Sequence, residues 1–236
     1  MVVLLGRDRA RRFPWFTTAM ALTTLGRLAS ELLFHRISQM SSDVLFLTLA
    51  DLAAITSILV VIEIARRAFV GAGARAWTAG SLVLLAVAGT VTAFWGPWPS
   101  WKTLLASSQL AALRMMDLFA QKTELFADLL IVMLALVIVI VGRRFKAGWH
   151  SHAQQLVIGL AMVSLSQLTI RGTLQHIAQH VTIHNQSDYN RVMGLITSLN
   201  TAKNVIFLVV VVWWIVCLWI DEPGTENREL GAGSGE

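Results

Sequence analysis

Six ionisable side chains stand inside or at the edge of long apolar runs: Arg27, Glu31, Asp51, Asp128, Arg171 and Lys203. A charge in an apolar medium is costly, so such groups either pair with one another or mark a place where a polar ligand, ion or proton is handled. Three of the six are basic and three acidic. The set could neutralise itself as interhelical ion pairs and snorkelling side chains, or it could line a polar cavity for a small polar ligand or ion.

A second group is His176, His180 and His184, spaced i, i+4, i+8. Adjacent members could hold one metal ion from one helical face. All three could not on a straight helix, because eight residues span about 12 Å. Asp188 would complete a site only if the chain turned. Solvated loop histidines show the same spacing, so the sequence assigns no metal site. No nucleophile elbow, zinc-protease, phosphate-loop or kinase motif is present. No catalytic residue and no cofactor is therefore expected. Lys203, within NTAKN, resembles the retinal-binding lysine of microbial rhodopsins, but the chain offers no matching counter-ion helix and too few spans. The lone Cys217 excludes an intramolecular disulfide and cysteine-based zinc chemistry.

The elements that must position these groups are membrane spans. The stretch from Leu129 to Val141 holds no polar side chain and ends in Gly142, Arg143, Arg144, Phe145 and Lys146. An apolar run closed by a basic cluster reads as a span ending on the cytoplasmic side. Composition agrees. The chain is 56% hydrophobic and 14% charged, against about 25% charged in soluble domains, and a soluble core could not bury that much apolar surface.

Apolar segments predict six spans, at about 13–34, 44–65, 77–95, 122–142, 152–174 and 191–220. Residues 1–12 form a basic cytoplasmic N-terminus with Arg7, Arg9, Arg11 and Arg12. Read as a signal peptide, this end lacks a well-placed small-residue cleavage site. Arg66, Arg67, Arg75, Arg143, Arg144 and Lys146 mark the other cytoplasmic flanks, so both termini face inward. Gly96, Pro97 and Pro99 break the chain after the third span, and Trp77, Trp95, Trp98 and Trp101 read as interface anchors. Residues 103–121 read as an amphipathic helix that either lies along the outer surface or projects beyond it before the fourth span. A loop at about 175–190 carries the histidines outside. Residues 221–236 hold five acids and one base and form an acidic, glycine-rich, disordered cytoplasmic tail. The net charge of +5 thus leaves +9 for the remainder. Because those bases sit at span ends, the positive-inside bias accounts for them and nucleic acid is not the expected partner. No internal repeat occurs.

The stretches RRFPWF (residues 11–16) and RRFKAGW (residues 143–149) give the chain a resemblance to a large group of uncharacterised multi-pass inner-membrane proteins of soil bacteria. The resemblance covers residues 11 to about 219. Its members look like seven-helix proteins with one more span before RFPWF, of which only MVVLL stands here, so the resemblance implies seven spans where the apolar runs number six. It implies no activity and no site residue.

The expected fold is therefore an all-α, polytopic transmembrane bundle occupying residues 13–220. The expected role is that of a non-catalytic sensory or partner-binding membrane module with a polar level toward the periplasm. Its partners would be the lipid bilayer and another membrane protein or a second copy of the chain. The competing reading is a small-solute or ion transporter or channel, which would want broken helices in symmetric halves. A membrane metal enzyme using the histidines is the third.

Overall fold

The computed structural model describes residues 13–33, 39–68, 74–96, 98, 109–141, 152–180 and 185–219. Among them there are six α-helices and no strand: α1 Pro14–Leu33, α2 Gln39–Ala68, α3 Ala74–Phe94, α4 Gln109–Val141, α5 His152–His180 and α6 Gln186–Trp219. Each coincides with one expected span. Four are long and apolar enough to cross a membrane, over Met40–Arg66, Ala111–Ile140, Gln154–His180 and Gln186–Cys217, and Thr78–Phe94 is a shorter apolar helix. The basic N-terminus, the RRFKAGW stretch and the acidic tail lie outside the described residues.

Four helices depart from the expected boundaries: α2 and α6 begin five residues early, at Gln39 and Gln186, and α4 and α5 depart further. α4 is continuous from Gln109 to Val141, about 50 Å at 1.5 Å per residue. The amphipathic stretch ahead of the fourth span is therefore the same helix as the span, without a break near residue 121. α5 runs on to His180 rather than ending at residue 174. Residues 173–180, TLQHIAQH, contain neither glycine nor proline, so nothing stops the helix there. His176 and His180 consequently belong to a helix and not to a loop.

Polar residues inside these apolar helices mostly satisfy themselves. The hydroxyls of Thr17, Thr18, Thr23 and Thr24 each donate to the carbonyl four residues back at 2.8–2.9 Å. Thr48, Thr56, Ser57, Thr90, Thr169, Thr197, Ser198 and Thr201 do likewise. A hydroxyl bonded to its own helix needs no partner from water or from a neighbouring helix. This is how a threonine-rich segment such as Thr17–Thr24 remains compatible with an apolar setting.

The helices fall into two compact units, dividing within α4 between Leu134 and Ala135. In the first, α1 packs on α2. Phe13 and Phe16 are buried from the α1 side, and Val60, Val61, Ile64 and Ala65 are buried on α2. α4 buries Leu125, Ala127, Leu130, Ile131 and Leu134. In the second unit α5 packs on α6, around Leu156, Val157, Val210 and Trp214.

The α5–α6 contact depends on one glycine. A Cβ placed on Gly159 would clash with Nε1 of the Trp214 indole and lie 2.8 Å from its Cε2 and 2.9 Å from Cγ1 of Val210. The indole thus lies against bare backbone, and the two helices approach as closely as a missing side chain permits. Gly159→Ala should cost about 1–3 kcal/mol through overpacking. Thermal unfolding in detergent measures it, and Trp214→Phe should restore part of the loss in the double variant. An unchanged melting temperature for Gly159→Ala would show that the contact is not tight.

Candidate functional site

α1 begins at a proline, preceded by a residue without a capping side chain. The Phe13 carbonyl accepts the first helical bond, from Thr17 N at 2.9 Å, which makes Phe13 the N-cap. Pro14 at the first helical position has no N–H to satisfy. The next two donors, Trp15 N and Phe16 N, both donate to Oε2 of Glu63, at 3.1 and 3.2 Å. A carboxylate from α2 thus does what an N-cap serine or aspartate does within a single helix. Its negative charge also lies at the positive end of the α1 dipole. Glu63 is buried.

The C-terminus of α3 is closed by the opposite charge. Gly96 takes φ +78°, the left-handed conformation that ends helices. The Lys122 ammonium of α4 donates to the carbonyls of Thr92, at 3.2 Å, and of Trp95. Trp98 folds back so that its indole N–H donates to the Ala93 carbonyl at 2.6 Å. Lys122 Nζ also lies 4.7 Å from the centre of the Trp98 ring. A cation there meets both the negative end of the helix dipole and the face of an aromatic ring. Trp98, expected as an interface anchor, therefore has a bonded role at the helix end.

The Glu63 cap sets the register of α1 against α2. The start of α1 meets the end of α2, so the pair is antiparallel. Arg27 lies twelve positions on from Trp15, and Asp51 lies twelve positions back from Glu63. Twelve helical residues rise about 18 Å, so Arg27 and Asp51 come to the same level of the pair. Arg27 also shares one α1 stripe with Phe16, Met20 and Thr23, at spacings i, i+4, i+7, i+11. The side chains of Arg27 and Glu31 lie outside the described residues. Asp51 is half-buried, and its Oδ1 is enclosed without a hydrogen-bond partner among the described residues. Asp128, on α4 in the same unit, is 6% exposed.

Arg171 and Lys203 belong to the second unit, where both are half-buried. There the Gly159 contact sets the register. Arg171 is twelve residues on from Gly159, and twelve back from the midpoint of Val210 and Trp214 is Asn200. Lys203 is three residues from that position, about 4.5 Å along the helix. By position in the chain the six expected residues fall into two sets, Arg27, Glu31, Asp51 and Asp128 in one unit and Arg171 and Lys203 in the other.

His176 and His180 are exposed near the end of α5, and His184 lies outside the described residues. Among the described residues no group of three or more His, Cys, Asp or Glu side chains is placed to hold a metal ion. Sequence reasoning passed over Glu63 and Lys122. The available signals were a single acid inside VVIEIARR and a base, Lys122, close to the start of the fully apolar part of α4.

No family model, curated protein or solved structure matches the chain.

The cap yields a direct test. Glu63→Ala leaves two N–H groups without their acceptor and should destabilise the protein by about 1–3 kcal/mol in detergent. Glu63→Gln retains an acceptor oxygen and should lose markedly less. Equal losses would show that charge, rather than acceptance of the two hydrogen bonds, is what Glu63 supplies.

Proposed function

We propose that the chain is a six-span protein of the bacterial inner membrane, with both termini cytoplasmic, acting as a non-catalytic sensory or partner-binding module. The polar residues of each unit, Arg27, Glu31, Asp51 and Asp128 in the first and Arg171 and Lys203 in the second, are placed toward the periplasm. The observation that carries this reading is the shared level of Arg27 and Asp51 in the antiparallel α1–α2 pair. A buried charge at membrane depth marks function more often than scaffolding. An even number of crossings returns the chain to its starting side, in keeping with basic clusters at both 7–12 and 143–146.

A protein partner is supported by α6. Gly194, Ser198 and Ala202 recur every fourth residue on one exposed face, the small-residue spacing at which membrane helices approach closely. The transporter or channel reading would use the same polar level. It calls for discontinuous helices, whereas the six helices run unbroken over their described lengths.

Two measurements test this reading. Topology reporters fused after Lys146 and after Asn185 should give opposite signals, inside and outside; equal signals would overturn the six-span arrangement. A double-mutant cycle with Arg27→Leu, Asp51→Leu and the double variant should show a coupling of about 1–3 kcal/mol in thermal stability. Strictly additive single effects would mean that the two residues never meet.

A further inference from the structure

The last two turns of α5 carry a pair of histidines that the polar level does not use. His176 and His180 are one helical turn apart and both are exposed. Their rings stand face to face, with centroids 4.3 Å apart and planes inclined by 27°. Nδ1 of His180 lies 3.1 Å from the His176 carbonyl oxygen. A carbonyl oxygen only accepts, so the proton of that bond is on Nδ1. In the neutral ring this leaves the lone pair on Nε2, which can bind an electrophile.

That arrangement is the one found around metal-bound histidine, where the ring nitrogen away from the metal donates to a backbone carbonyl and thereby holds the tautomer and the ring orientation. Two imidazoles at i and i+4 on a helix present both rings to one ion, the geometry of helical zinc sites. Metal–nitrogen bonds of about 2.0–2.1 Å require the two ligating nitrogens to be roughly 3 Å apart. Rings already stacked at 4.3 Å reach that separation by side-chain rotation, with no movement of the helix. The first turns of α6 contribute Asp188 and Arg191 to this end of the hairpin, and their charges offset one another.

We infer that His176 and His180 form a two-histidine site for a divalent first-row transition-metal ion, with water completing the coordination. Imidazole selects zinc, nickel or copper over calcium or magnesium, which prefer oxygen ligands. Two protein ligands make an open, exchangeable site and not a closed structural one. This matches a position at the exposed end of a helix.

The test uses the full chain in detergent, purified without a polyhistidine tag. Equilibrium dialysis against Zn²⁺ alone should load one ion per chain with micromolar affinity. His176→Ala and His180→Ala should each weaken binding at least tenfold, whereas the double variant His150→Ala/His152→Ala should bind as the parent does. Mg²⁺ and Ca²⁺ should not compete. With Cu²⁺ as probe, the paramagnetic resonance spectrum should show two equatorial nitrogens in the parent and fewer in either single variant. No saturable zinc binding by the parent, or binding unchanged in His180→Ala, would overturn the site. Because both side chains are exposed, the variants should retain the parent's melting temperature without metal, so that loss of binding reads on the ligands and not on folding.

Discussion

A helix end in an apolar medium leaves backbone groups that water cannot reach, and the architecture of this chain answers that constraint at long range. α1 has no capping side chain of its own, and its first donors are taken by Glu63, 48 residues from Trp15. α3 has lost its helical continuation at Gly96, and the carbonyls of Thr92, Ala93 and Trp95 at that end are taken by Lys122 and by the Trp98 indole. Glu63 and Lys122 each come from another helix, and each carries the sign of charge that the helix dipole favours. Tertiary contacts here are therefore also the end conditions of secondary structure: α1 cannot begin properly unless α2 is beside it.

The same cap reaches much further down the pair. A carboxylate bonded to two successive N–H groups cannot slide by a turn without breaking both bonds, so it holds α1 and α2 at one axial offset. Everything else on the two helices inherits that offset. Arg27 and Asp51 come to one level because each is twelve residues from the cap. Glu31, one turn beyond Arg27, stands next in line. The RRFPWF stretch acquires a physical meaning in this light. Phe13 supplies the first carbonyl, Pro14 removes a donor, Trp15 and Phe16 present the next two to Glu63, and the Phe13 and Phe16 rings are buried.

How far the sequence reveals this varies with the range of the interaction. The all-helical fold and its four long apolar helices are legible because apolar runs of some twenty residues have few other readings. A common level for Arg27 and Asp51 is an expectation of the sequence alone, since counting inward from opposite ends of two consecutive antiparallel helices needs only the rise per residue. Glu63 is not legible as a cap, because capping rules look for a partner within three residues and this one comes from the next helix. Lys122 is hidden for the same reason: beside Arg114 and Asp117 it reads as one more polar position on an amphipathic face. Gly159, in LVIGLAMV, looks like any helical glycine until Trp214 is seen against it. The end of α5 escapes a hydropathy argument because polar residues such as His176 and His180 can continue a helix beyond the apolar segment that began it.

The two units solve the problem of charge differently. In the first, the cap brings one acid and one base, Asp51 and Arg27, to one level of the pair. In the second, α5 carries no acid and α6 carries Asp188 alone, in its first turn, while the register set by Gly159 brings Arg171 and Lys203 to nearly one depth. Two cations at one depth of a hairpin cannot neutralise each other, and Asp188 is some fifteen residues, about 22 Å, from Lys203 along α6. The one acid of α6 and its Lys203 therefore lie at different depths, so the charges of this hairpin are spread along its length, whereas the cap gathers those of the α1–α2 pair toward one level.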